Sequence, residues 1–344
     1  MAEWVKAAET QLEVHRWLTS PKGLAWVRYW IQGMTKAEPA KAQGYTLYMQ
    51  AEAQKLLTAD AIWVDSEMTE VIEFARESFA PEEMHPDDFI VHTGFVYFAK
   101  PLLMPDRHGK IVSIGAFSWC PLRFTSKTAA EIYAEQSSME KEGRNGTEII
   151  AYGDAVSDLE QRDEWGMAIS IFSSMTDERD EFHDVHQEMQ RHFNAPEVAP
   201  LHVTQVRFGD PFGDGDLYDE NEDYTGADHW WRTIQTVLRL MQQRVVVHSD
   251  GPIDRPTRRR WERATKHAPK DVMVVRLRRA SQRGPKEEGE DVRTLTHRHI
   301  RVGHWRNQYY PSLHRHRQIW IHQTVVGDDS LPLIVKKRYW KWDR

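Results

Sequence analysis

Long apolar runs are missing from this chain. No stretch of its 344 residues approaches the roughly 18 consecutive apolar residues that a membrane span needs. The opening MAEWVKAAETQLEVHRW is amphipathic and has no apolar signal core, so a cytoplasmic protein with no membrane contact is expected. Cysteine is nearly absent as well. A single thiol, Cys120, excludes an internal disulfide, and without a CxxC pair there is no thiolate zinc site. Cys120 lies in the apolar run AFSWCPL, which predicts a buried, inert thiol and not a nucleophile. Signatures of catalysis are missing too: GxxxxGK(S/T), GxGxxG after a strand, GxSxG and HExxH do not occur. The acidic run DPFGDGDLYDENED lacks the DxDxDG spacing and closing glutamate of a calcium loop. These gaps favour a binding protein over an enzyme, with no cofactor and no metal.

What the chain does have is aromatic mass and an uneven charge. Hydrophobic residues make up only 40%, yet 14 Trp, 12 Phe and 11 Tyr each bury a large area, which argues for a folded core. The length leaves room for two or three domains. The net charge of -7 conceals a split: residues 1–250 hold 22 Lys+Arg and 42 Asp+Glu, a net of -20, and residues 251–344 hold 23 and 10, a net of +13. A negative body repels phosphate, so only the last quarter is suited to a polyanion. The competing reading is that the basic tail docks on the acidic body of its own chain or of a twin subunit.

Periodicity divides the chain into four regions. Residues 1–82 read as helices: Trp4, Ala8, Leu12 and Trp17 form one broken stripe, residues 40–57 another, and Ser66 opens EMTEVIEFARESF with Val71, Ile72, Ala75 and Phe79 on one face. Residues 83–248 read as α+β. FIVHTGFVYFAKPLL and IVSIGAFSWCPLRF flank the turn PDRHGK as a hairpin would, and TEIIAYGDAV, MAISIFSSM and LHVTQVRF extend the sheet. Asp228 is the expected cap of a helix burying Trp230, Trp231, Ile234, Val237, Leu238 and Met241, with Arg232, Gln235, Arg239 and Gln242 facing away. Residues 249–270 read as a basic linker with one short helix, TRRRWERATKH, which also offers itself to a DNA groove. Residues 271–344 read as a basic, Trp- and His-rich β-domain with four strand-like runs. The predicted class is α+β: N-terminal helices, a central mainly antiparallel sheet and a small C-terminal β-domain.

The basic domain supplies the candidate site. Strand alternation sets Arg276 and Arg278 on one face, followed by Arg279, and sets Arg301 and Gly303 opposite Val302 and His304. Trp305, Arg306, Gln308, Tyr309, Tyr310, Arg315 and Arg317 follow. Guanidinium forks satisfy phosphate oxygens and aromatic rings stack on unpaired bases, so this interleaving suits RNA or a ribonucleoprotein. Aromatics at alternate strand positions also build cores, and Trp305 and Trp320 are expected to be partly structural.

Histidines invite two further readings. The pairs His297/His299 and His314/His316, at HxH spacing, and His183/His186 on a helix are weighed as chelators against solvated or phosphate-facing rings, and no metal is expected. LHVTQV (His202, Thr204) and IHQTVV (His322, Thr324) match the strand motif of two-histidine phosphoesterases, whose facing imidazoles act as acid and base.

The stretch THRHIRVGHWRNQYYPSLHRHRQIWIHQTVVG resembles a block found in proteins of actinobacterial phages and mobile elements. More distantly, it is similar to the end of the type V-A anti-CRISPR family that silences production of its target nuclease. The shared elements are Arg301-x-Gly303-His304-Trp305-Arg306 and a Trp320-centred strand after a polar turn. The resemblance implies action at translation, through recognition of a nascent chain on the ribosome. Taken together, the sequence predicts a non-enzymatic regulatory or accessory factor of a phage or mobile element that binds RNA or a ribonucleoprotein. A protein-interaction module or anti-CRISPR-like inhibitor with a protein target is the alternative, and a phosphoesterase the third reading.

Overall fold

The computed structural model of the protein describes residues 2–35, 49, 52–106, 109–124, 149–150, 164–208, 225–278, 298–301, 303–322, 324–326 and 333–334. The fold is α+β. Its centre is an eight-stranded mixed sheet built from β1 (Asp60–Val64), β2 (Gly94–Pro105), β3 (Ile111–Phe124), β4 (Ile149–Ile150), β5 (Glu164–Ser174), β6 (Val198–Arg207), β7 (Val246–Gly251) and β8 (Val272–Leu277). The order is β6-β5-β3-β2-β1-β8-β7, with β4 beside β3. One flank, from β2 through β3 and β5 to β6, is antiparallel, while β1 runs parallel to both β2 and β8.

Alternation along the strands makes both faces apolar, so both must be covered. On β3, Ala116 and Cys120 enter one core and Phe117 and Trp119 the other; on β5, Ala168 and Phe172 oppose Met167, Ile169 and Ile171. The first face is covered by α1 (Val5–Leu18), α2 (Pro21–Thr35), α3 (described over 52–58) and, through Trp261, by α7 (Arg255–Thr265). Helix α5 (His183–Phe193) adds Met189 and Phe193 at its margin. Helix α1 also closes the end of α3: Gln11 Nε2 donates to the Leu56 and Ala59 carbonyls at 2.6 and 2.9 Å, which satisfies acceptors that the last turn leaves open. The second face is covered by α4 (Ser66–Arg76) and α6 (Thr225–Met241). Trp305 and Trp320 from the C-terminal hairpin complete this second core.

Several expectations need correction. Residues 1–82 are not all helical, because β1 lies among them as an inner, doubly buried strand. The 249–270 region is not a detached linker: β7 starts just before it, and Trp261 of α7 is buried in the first core. Strand β8, expected to open the C-terminal β-domain, pairs with β1 and β7 in the central sheet. Helix α6 begins at Thr225, before the expected Asp228 cap. Its supposedly outward Gln235 and Arg239 are only 2% and 5% exposed. They are buried because carboxylate and carbonyl partners come to meet them from residues 82–88. Most of the stripe expected over residues 40–57, Arg279, His297, the acidic run after Gly209 and the terminal Lys336, Lys337, Arg338, Tyr339, Trp340 and Trp342 lie outside the described residues.

Candidate binding face on the C-terminal hairpin

Beyond the central sheet the chain forms β9 (Arg298–Arg301), β10 (His304–Tyr310), β11 (Arg315–Ile321), β12 (Thr324–Val326) and β13 (Leu333–Ile334). Strands β12, β9 and β13 make a three-stranded sheet, and β10 and β11 an antiparallel hairpin. The hairpin turns through a short 3-10 segment, Pro311–Leu313, and His314 closes it at φ 50, a left-handed conformation. The register sets Trp305 opposite Trp320, Gln308 opposite Arg317, and Tyr309 opposite His316.

One side of the hairpin is committed to the body. Trp305 meets Phe79 edge-on with ring centres 5.0 Å apart, lies 5.3 Å from Trp320, and donates from Nε1 to the Ala75 carbonyl at 2.9 Å. A Cβ on Gly303 would stand 2.5 Å from the Trp320 ring, so only glycine lets the chain cross the indole before β10 begins. The Gly303-His304-Trp305 core of the sequence block is therefore a docking device, with Trp320 buried in the second core and the half-buried Trp305 packed against it.

Charge completes the dock. Asp88, 1% exposed, accepts from Arg239 Nη1 at 2.7 Å and from Arg317 Nη2, while its other oxygen accepts from the His85 amide at 2.8 Å. Glu82 accepts from Arg239 Nη2 at 2.9 Å and from Gln318 Nε2 at 2.8 Å. Arg315 stands 3.7 Å from Asp87, and burial, aided by the neighbouring Arg317 charge, lowers its guanidinium pKa. Arg276 lies 4.0 Å from Asp65, between the Trp4 and Trp63 rings at 5.5 and 5.4 Å. Three of the predicted phosphate contacts thus face carboxylates of the acidic body. Intramolecular docking, the competing reading of the charge split, describes Arg276, Arg315 and Arg317.

What remains outward is the β10 side. Arg301, Arg306, Gln308 and Tyr309 are exposed, His304 and Tyr310 are half-buried, and Arg278 is exposed at the end of β8. Arg306 Nη2 donates to Gln308 Oε1 at 3.2 Å, and Tyr309 lies 5.1 Å from the His316 ring. Among the described strands β10 pairs only with β11. Strand β11, by contrast, is tied to the body: the Trp320 amide donates to Gln243 Oε1 at 3.3 Å.

No family model matches the chain, and no curated protein matches it. Among solved structures it is similar to one titled "Crystal structure of AcrVA2", with 10% identity over 86% of this chain and 83% of that one, at a TM-score of 0.39. The likeness is distant. It identifies neither a partner nor an activity for this chain.

The histidine readings fare differently. His202 lies on β6 of the large sheet and Thr324 begins β12 of the small one, so the two motif strands do not face each other in one sheet. His186 is buried on α5 with Nδ1 3.7 Å from Asp180, and His183 Nε2 meets the Gln187 amide at 2.7 Å. Among the described residues no group of three or more His, Cys, Asp or Glu is placed to hold a metal. No helix among them is long and apolar enough to cross a membrane. The sequence reading missed Glu82, Asp87 and Asp88 as partners of the basic tail. Nothing local in the run His85-Pro86-Asp87-Asp88 marks which cation will reach it.

Proposed function

We propose that this chain is a non-enzymatic protein-interaction module, of the kind a phage or mobile element uses as a regulatory factor or inhibitor. Its hairpin presents the β10 edge to an extended segment of a protein partner. The observation that carries this reading is the asymmetry of the hairpin: β11 is locked to the body by Trp320, Arg317 and Gln318, while β10, anchored by Trp305, pairs with no second strand among the described residues and carries the exposed Arg306, Gln308 and Tyr309. An open edge on a rigid support suits strand addition, in which backbone bonds give affinity and alternate side chains give selectivity. The mobile-element setting comes from the sequence block around Arg301 to Trp320.

The ribonucleoprotein reading keeps fewer cations than the sequence promised, because Arg276, Arg315 and Arg317 pair with Asp65, Asp87 and Asp88. Among the described residues it rests on Arg278, Arg301 and Arg306. Capture of a partner from nuclease-treated host lysate separates the two. The expected result is a protein retained by the wild type and lost with the double substitution Arg306→Ala, Tyr309→Ala, at an unchanged denaturation midpoint. Capture that vanishes on nuclease treatment, or that survives both substitutions, overturns the proposal.

A further inference from the structure

Helix α7 carries a run of exposed cations. Asp254 caps the helix, accepting from the Thr257 amide at 2.9 Å, and Lys266 ends it at φ 60. Thr257 and Trp261, one turn apart, are 1% and 4% exposed and turn toward α1 and the first core. Three neighbouring cations are spoken for: Arg258 pairs with Asp271 at 3.3 Å, Arg260 with Glu9, and Lys270 with Asp60. Arg255, Arg259, Arg263 and Lys266 are exposed and have no carboxylate partner among the described residues.

Residues 255, 259 and 263 follow at intervals of four, so they form one outward row that rises about 6 Å per step. Lys266 and His267 extend it beyond the helix end. Glu262 is the one exposed carboxylate of the helix and sits at the margin of the row. The row lies in the stretch of the chain, residues 251–344, whose net charge is +13, so it is the part suited to a polyanion.

We infer that this face of α7 is a binding surface for duplex DNA, reading its phosphate backbone and not its bases. Three cations on one helical row and a fourth at its end, about 6 Å apart, can each meet a phosphate of a duplex that carries one charge per about 1.7 Å of axis. Guanidinium forks bind phosphate oxygens, and a B-form major groove is wide enough to admit a helix. Single strands are the poorer fit, since they need exposed rings for stacking and the helix's one aromatic, Trp261, is buried. This surface is separate from the β10 edge, so either can fail without the other.

The test is binding of the full chain to a fluorescent 20-base-pair DNA duplex, followed by anisotropy across a salt series. About four phosphate contacts give a slope of log K against log salt of about -3 to -4. The triple substitution Arg255→Gln, Arg259→Gln, Arg263→Gln is expected to bring that slope to about -1, whereas Arg306→Ala on the hairpin leaves it unchanged. Should the triple variant lose its helical signal, Arg259→Gln alone is expected to reduce the slope by about 1. No binding at low salt, an unaltered slope in the folded variants, or tighter binding of a single strand, an RNA duplex or labelled polyglutamate would overturn the inference.

Discussion

Two buried ionic clusters occupy opposite faces of the same sheet, and they differ in what they hold together. On the first face Glu52 and Lys55, neighbours on α3, pair with both side chains essentially inaccessible. Glu52 also accepts from Ser118 at 2.8 Å and Ser170 at 2.5 Å, fixing one helix to two adjacent strands. On the second face Asp88 and Glu82 gather Arg239 from α6 with Arg317 and Gln318 from the hairpin, three segments far apart in the chain. The first cluster is local and serves the core. The second is long-range and decides where the hairpin sits, so the basic tail spends its charge on position before any is offered to a partner.

Breaking each cluster from one side separates these roles. Asp88→Ala leaves Arg239 buried with half its partners, and Lys55→Met leaves Glu52 buried without its cation, so each is expected to cost about 3 to 5 kcal/mol in denaturant unfolding. The location of the damage should differ. Hydrogen exchange in Asp88→Ala is expected to rise throughout 304–321 while β3 and β5 stay protected, and Lys55→Met should show the reverse. Equal loosening of the hairpin in both variants would mean that Asp88 is not what holds it.

A third buried polar site makes the contrast sharper, because it sets a histidine beside a carboxylate. Asp180 accepts from the Ser113 and Phe182 amides at 2.8 Å each, with His186 beside it and His183 one turn before on the same helix. Burial lowers the His186 pKa against the opposing pull of Asp180, and burial likewise lowers that of His15, whose Nδ1 faces the Ala53 carbonyl at 2.7 Å. Both rings bind a proton more readily unfolded, from the ordinary value of 6.5. Stability is therefore complete above pH 6.5 and falls as acid reaches their lower folded pKa values. Asp177 extends the range. Burial opposes its ionisation, yet bonds from Arg179 and Ser113 outweigh that and bring it to about 2. Its contribution is full above 3.8 and is lost as pH falls through about 2. Unfolding midpoints measured from pH 8 to pH 2 should fall in two stages, and the first should shrink in His186→Gln; one stage near pH 4 alone would contradict this.

Local pattern revealed much of the fold and little of the dock. The run from Phe89 to Phe124 reads as two strands about a turn, and β2 and β3 pair there as an antiparallel hairpin. The stripe of Trp231, Ile234, Val237 and Leu238 packs into the second core as its spacing predicts. Strand β1 was hidden because its five residues, DAIWV, are covered on both sides and show no alternation. Strand β8 shows its period but not its sheet, since membership is settled by contacts with β1, more than 200 residues earlier. The change of charge near residue 250 was legible, but its meaning depended on partners. Arg315, Arg317 and Arg306 look alike in sequence, and only Asp87 and Asp88 separate the two that dock from the one that stays outward.

The smallest effect tests whether docking is graded along the hairpin. Arg317 reaches a carboxylate that is 1% exposed, whereas Arg315 stands 3.7 Å from Asp87, whose side chain is 61% exposed. Water and salt screen the outer pair, so Arg315→Gln is expected to cost no more than about 1 kcal/mol. Arg317→Gln removes a guanidinium charge from the buried carboxylate and belongs with the larger class. Measured in parallel by denaturant unfolding at low and high salt, the Arg315 variant should lose its small deficit as salt rises, and the Arg317 variant should keep most of its own. If both respond alike, the acidic pair acts as a diffuse field and not as one buried anchor with a solvated rim. Charge count would then describe the dock better than geometry does.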